Sequence, residues 1–219
     1  MKALHKAPTT VLMTALVVVM LLVLLLFLAT PVQATECGNH RNPRVIPPQA
    51  RPFGLSYGDW GARWWQWLAS TPVAPSEGAG TNTGEGQHGA VWFLGVNQTV
   101  TWIEDGVGVG AADWTITMPA GKFVFFPVWS TEADVASGNG TTYAELAASN
   151  DLWVAHVTEL AATVDGRPLH HLFAYRAGSS LLELQWAVGN LWQRDPGEPT
   201  DAVSDGFWIM LTPLCTGHQ

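Results

Sequence analysis

Apolar and polar positions divide the chain into one long apolar run followed by short runs punctuated by Gly and Pro. Residues 11–28 are apolar apart from Thr14, and the start before them carries Lys2, His5 and Lys6 and no acid. The run ends at Pro31-Val32-Gln33-Ala34, where small residues at 32 and 34 suit a signal peptidase and Pro31 stops the helix before the cut. A signal peptide is predicted over residues 1–34, cleaved between Ala34 and Thr35, which directs the product to the cell envelope or the medium. The alternative is an uncleaved anchor, because a run of this length reaches the lower edge of a membrane span. Glu36 beside Cys37 does not fit a lipid-attachment site.

Residues 35–52 are predicted to be a Pro-rich tether, since Asn42-Pro43, Pro47-Pro48 and Pro52 forbid helix and central strand. A helix follows. Tyr57, Trp60, Trp64, Trp67 and Leu68 recur at helical spacing, so their stripe is expected to plug the core. Ser56 and Asp59 have the spacing of a capping box, and Pro72 and Pro75 end the helix. Trp65 lies about 100° from the stripe centre, on one flank, with Arg63 on the other. These two are the helix's candidate ligand-facing residues, and Trp65→Ala is expected to cost much less stability than Trp64→Ala.

Beyond a Gly-rich loop at 78–89 the composition turns to strand. Residues 90–96, 100–104, 114–118 and 123–129 are short apolar or β-branched runs, and Pro119-Ala120-Gly121-Lys122 supplies a turn between the last two. A second helix is predicted from Thr142, with Glu145 closing a capping box and an imperfect apolar face of Tyr143, Leu146, Ala147, Val154 and Val157. Asp165-Gly166 predicts a hairpin between 159–164 and 167–175. Two further strands, 181–186 and 207–211, flank a polar loop at 189–205. The reading is a mainly β protein: a β-sandwich, jelly-roll or immunoglobulin-like, with two helical additions, as one Trp-rich domain over residues 53–219.

Composition sharpens this picture at three points. Twelve of the 219 residues are Trp, enough for a core of large plates or for an aromatic surface that holds a ligand. Loss of Lys2 and Lys6 with the leader takes the formal charge from −8 to −10, which argues against nucleic acid and anionic membrane surfaces as partners. Flat apolar rings stack on the C–H faces of sugars, so a neutral ligand such as a glycan is the expected partner, with Trp65, Arg63, Trp129 and Trp186 as candidate binding residues. Cys37 and Cys215 form an even pair in an exported chain, so a disulfide is expected, with two free thiols as the alternative.

Catalytic motifs are scarce. There is no Gly-x-Ser-x-Gly elbow, no His-Glu-x-x-His and no Cys/His group at zinc spacing, and no metal or cofactor is expected. Gly106-Val107-Gly108-Val109-Gly110 precedes a strand, so it lacks the helix N-terminus that a phosphate loop needs. His170 and His171 are adjacent and would point to opposite faces of a strand. The acids are better candidates. Glu132, Asp134 and Glu183 lie near aromatic residues in sequence, and a secreted hydrolase using a carboxylate pair is the alternative to a non-catalytic binding module or a purely structural envelope protein.

Several motifs occur in the order found in a family of uncharacterised exported bacterial proteins. They are Tyr57-Gly58-Asp59-Trp60 with Ala62-Arg63-Trp64-Trp65-Gln66-Trp67, Gly89-Ala90-Val91-Trp92-Phe93-Leu94, Pro119-Ala120-Gly121-Lys122 with Phe125-Phe126-Pro127, Val164-Asp165-Gly166 and Asp205-Gly206-Phe207-Trp208. The chain resembles that family from about Phe53 to Gly217. The resemblance implies export and a β-rich fold and carries no chemistry. Relatives often hold cysteines where Thr83 and Ile116 stand here, and tend to continue past the point where this chain stops, so a missing disulfide and a missing edge strand are expected.

Overall fold

The computed structural model describes residues 44–72, 84–96, 98–102 and 108–213. The expected signal peptide and its cleavage site, Cys37, Cys215 and Thr83 lie outside the described residues. Helix α1 (Tyr57–Ser70) is followed by strands β1 (Val91–Phe93), β2 (Gln98–Trp102), β3 (Gly108–Ala112) and β4 (Phe123–Asp134). Helix α2 (Tyr143–Val154) precedes β5 (Thr163–Val164), β6 (Arg167–Pro168), β7 (Leu182–Leu184) and β8 (Thr200–Leu211).

Both helices start where the sequence places them. The Asp59 amide donates to Ser56 Oγ at 3.1 Å while the Ser56 amide donates back to Asp59 Oδ2 at 2.8 Å, and Thr142 and Glu145 repeat the arrangement at α2. Asp165 and Gly166 both have positive φ, 50° and 72°, so β5 and β6 close on the primed turn that Asp-Gly favours.

One four-stranded sheet, ordered β1-β4-β8-β7, carries the core, and β2–β3 and β5–β6 form separate antiparallel pairs. The chain is therefore β-rich with two helices, as expected. The sheet is mixed: β1 runs parallel to β4, and the other neighbours are antiparallel. Four expectations shift. Residues 114–118 form no strand, and the partner of β2 is instead Gly108–Ala112. Residues 172–175 coil into a 3-10 turn after a two-residue β6. β4 and β8 are both longer than expected, because their ladder runs from Val124↔Leu211 to Asp134↔Ala202 and absorbs acids and small residues that read as loop. The end of the Pro-rich tether is also drawn in. Val45 bridges Leu211, and the Ile46 amide donates to Met210 O at 2.8 Å.

Strand period places the helices on opposite faces of the sheet. Trp208 packs toward α1: its indole lies 5.7 Å from Trp64 and stacks on Phe125 at 5.3 Å and 12°. Val203, of opposite parity, packs with Ala133 and Leu146 under α2. Two α1 glycines make the close approach. A Cβ on Gly61 would meet the Trp208 indole at 2.8 Å, and one on Gly58 would meet Gly178 O at 2.1 Å. Tyr57 locks the layer, its hydroxyl donating to Ile46 O at 2.5 Å and accepting from the Met210 amide at 3.2 Å.

Candidate functional site

Arg194 links the sequence's candidate acids on β4 to the candidate Trp186. Glu132 and Asp134 are two residues apart and share the α1 face of the sheet. Asp134 Oδ1 accepts from the Ser137 amide at 2.7 Å and Oδ2 from its hydroxyl at 2.5 Å, closing the turn after β4. Arg194 reaches in from the β7–β8 connection, with Nη2 3.7 Å from Glu132 Oε1 and 3.8 Å from Asp134 Oδ2. The arginine is held in turn by Asn190, whose Oδ1 accepts from the Arg194 amide at 2.9 Å, and its guanidinium donates to Ser137 Oγ. Glu132 Oε2 is buried without a hydrogen-bond partner. Burial, then the neighbouring charge of Asp134, pushes the Glu132 carboxyl up to about 7 against the opposing pull of Arg194.

Aromatic rings roof this end of the sheet. Arg194 lies over the Trp186 ring at 5.7 Å, Trp192 meets Trp186 edge-on at 5.8 Å, and Trp192 stacks on Trp65 at 5.3 Å and 28°. Trp65 is thus 5% exposed and Trp186 6%, so neither offers an open ring face to a glycan. The flank position expected for Trp65 is real on the helix, and a ring from a distant loop covers it. Trp129 is half-buried after a bulge in β4. Arg63 is exposed and lies over Trp60 at 5.1 Å. Glu183 is exposed on β7, pointing away from buried Leu182 and Leu184, and so on the opposite face from Glu132. The structure therefore joins Glu132, Asp134, Trp65 and Trp186, and leaves Glu183, Trp129 and Arg63 apart. The two joined carboxyls are buried, with side chains 8% and 1% exposed, rather than facing each other across a sugar-sized groove.

An accessible site lies on the other face of the sheet. Between α2 and β8 is a cleft of about 200 Å³, lined by Tyr143, Ala147, Asn150 and Asp151 of α2, Gly178 and Ser179, and Val203, Ser204 and Asp205 of β8. Its wall is a short extended segment beside β8. The Ala177 amide donates to Gly206 O and the Ser179 amide to Ser204 O, at 2.9 and 2.8 Å. Gly58 lets that segment settle against α1, and Trp208 Nε1 donates to Ala177 O at 3.0 Å.

Polar groups dominate the lining. Asn150 is 1% exposed; its Nδ2 donates to Val203 O at 2.8 Å while its Oδ1 has no partner. Ser204 Oγ is also buried and unpartnered, but Ser204 has the parity of Trp208 and stands opposite Glu132, so its hydroxyl belongs to the α1 face and only its backbone borders the cleft. Arg176 bridges the two acids, donating from Nη2 to Asp205 Oδ2 at 2.7 Å and to Asp151 Oδ1, and the Asp205 hydrogen bonds above all raise its guanidinium above the usual range. At the rim the Tyr143 ring is 52% exposed, with its hydroxyl donating to Ser179 O at 3.4 Å. This arrangement has the features of a small-ligand site, a concavity with a few convergent polar groups and one open aromatic face.

Sequence reasoning placed α2 and missed the cleft. The available signal was Asn150-Asp151 interrupting an otherwise apolar helix, which reads as an imperfect stripe unless the partner strand is known. Among the described residues no three His, Cys, Asp or Glu side chains assemble into a group able to hold a metal, and no helix is long and apolar enough to cross a membrane. No family model, curated protein or solved structure matches this chain.

Proposed function

We propose that the protein is an exported, non-catalytic binding module that seats a small, non-anionic ligand in the cleft between α2 and β8. The observation that carries the reading is the unpartnered Oδ1 of buried Asn150 in a polar cleft of about 200 Å³. A buried acceptor without a donor costs roughly 1–3 kcal/mol, and a bound ligand that donates to it recovers that cost. A neutral hydroxylated molecule, such as one unit of a glycan, is the first class to test, since Tyr143 offers a ring face at the rim. The leader supports export, and the ordered motifs support membership of the exported bacterial family and its β-sandwich class.

The test is a ligand panel followed by residue-resolved NMR. Binding is expected to move the amide signals of Tyr143, Asn150 and Ser179, and Ala147→Trp, which fills the cleft, is expected to abolish the shifts in a folded protein. Shifts confined to the Trp186–Arg194 region would overturn this assignment. A second reading, acid catalysis, is favoured by the burial of Glu132 beside Asp134, which pushes the Glu132 carboxyl up to about 7. It requires substrate to enter beneath Trp192, and its sign would be turnover lost in Glu132→Gln.

A further inference from the structure

Resting on the binding reading, we propose that the ligand of the α2–β8 cleft is a small primary ammonium compound, held by Asp151 and Asn150 with its apolar stem against the Tyr143 ring. Charge is the first argument. Asp151 and Asp205 bring two negative charges to the cleft and Arg176 one positive, so the site keeps one net negative charge. The period of β8 places Asp201 on the same sheet face as cleft residue Val203, about 7 Å along the strand. The cross-strand partner of Asp201 is Glu183. Like charges directly opposite destabilise a ladder, and among the described residues no ion pair joins either acid to a cation. A cation bound in the cleft compensates its net negative charge and is attracted more weakly by the exposed Asp201.

Hydrogen-bonding capacity is the second argument. Asn150 Oδ1 is buried without a partner, and the Asn150 amide nitrogen is already committed to Val203 O. Asp151 is 65% exposed at the cleft mouth, where one of its oxygens is engaged by Arg176. The vacancies are therefore acceptors, and an ammonium group supplies three donors from one atom. A neutral polyol would satisfy Asn150 but leave the negative charge uncompensated. A carboxylate or phosphate would meet two acids, with Arg176 already occupied by both. The half-open Tyr143 ring adds a face that attracts a cation or its stem.

The probes are n-butylammonium, n-butanol, glycerol, glucose and butyrate, each titrated into the intact protein at neutral pH and followed on the amide signals of Tyr143, Asn150 and Ser179. n-Butylammonium is expected to move these signals with an affinity at least about tenfold above that for n-butanol, and to weaken as salt is added. Asp151→Asn, at an exposed position, is expected to weaken n-butylammonium at least about tenfold while leaving n-butanol unchanged. Asp201→Asn, which leaves the Arg176 pairs intact, is expected to weaken it about threefold by removing a more distant charge. Glycerol or glucose binding equally well to the wild type and Asp151→Asn, with no preference for n-butylammonium, would overturn the ammonium class and leave the binding-module reading standing. Silence of the cleft signals toward every probe would overturn both.

Discussion

Glu132 is a carboxyl whose neutral form the fold prefers, and its effect on stability has a definite sign. Its carboxyl is pushed from 4.5 up to about 7 by burial and by Asp134. Between those values the unfolded chain releases the proton and the folded chain keeps it, so stability is fully present below about pH 4.5 and is lost as pH rises toward 7. The loss is of order 3 kcal/mol. Urea denaturation at pH 5 and pH 8 is expected to show a lower midpoint at pH 8, and Glu132→Gln to remove most of this group's contribution. A midpoint that falls from pH 5 to 8 as steeply in the variant as in the wild type would count against the assignment. Trp65 belongs to the same neighbourhood. With Trp192 stacked on it and 5% of its surface exposed, Trp65→Ala is expected to cost about 3–5 kcal/mol, comparable to Trp64→Ala rather than much less. Chemical denaturation of both variants checks this.

Helix α1 depends on having no side chain at two positions. At Gly61 an added methyl meets the Trp208 indole at 2.8 Å, and at Gly58 it meets the Gly178 carbonyl at 2.1 Å. Helix propensity alone favours alanine by about 1 kcal/mol, and overpacking opposes it by roughly 1–3 kcal/mol. Trp208 is fully buried, so it has little room to yield. Gly58→Ala is the more severe change because the obstacle is backbone. It is expected to lower the melting temperature and to detach the Ala177–Ser179 segment, with faster hydrogen exchange at the Ala177 and Ser179 amides. The same segment walls the cleft, so ligand binding falls with it.

At the scale of the whole molecule the two faces of the sheet divide the work. The α1 face holds the large plates and the buried Glu132–Asp134–Arg194 group, and the α2 face holds the open polar cleft. Of the tryptophans whose side-chain burial is described, only Trp153 and Trp192 are substantially exposed, at 61% and 41%, which assigns most of these indoles to packing. The ends of the described chain run side by side, with the Thr212 amide donating to Arg44 O at 2.8 Å and Val45 bridging Leu211. A Cys37–Cys215 bridge stays a proposal from the sequence, the two cysteines lying seven residues before Arg44 and three after Thr212. Mass spectrometry of the unreduced protein is expected to find the bridge, and reduction to lower stability by about 3–5 kcal/mol on the chain-entropy account.

Local chemistry was legible in the sequence wherever it acts between near neighbours. The capping boxes at Ser56 and Thr142, the Asp165-Gly166 turn and the buried stripe of α1 all follow from spacings of a few residues, which the backbone geometry reads directly. The β-rich class with two helices followed from the same signals. Strand ends did not, because β4 continues through Glu132 only where β8 pairs with it, and that ladder joins residues some seventy positions apart. Burial of Trp65 was decided likewise, by a ring from the β7–β8 connection. The cleft needed Asn150, Ser179 and Asp205 from three separate elements, each unremarkable alone. Periodicity reports which side of an element is apolar, and only the packed fold decides what stands opposite.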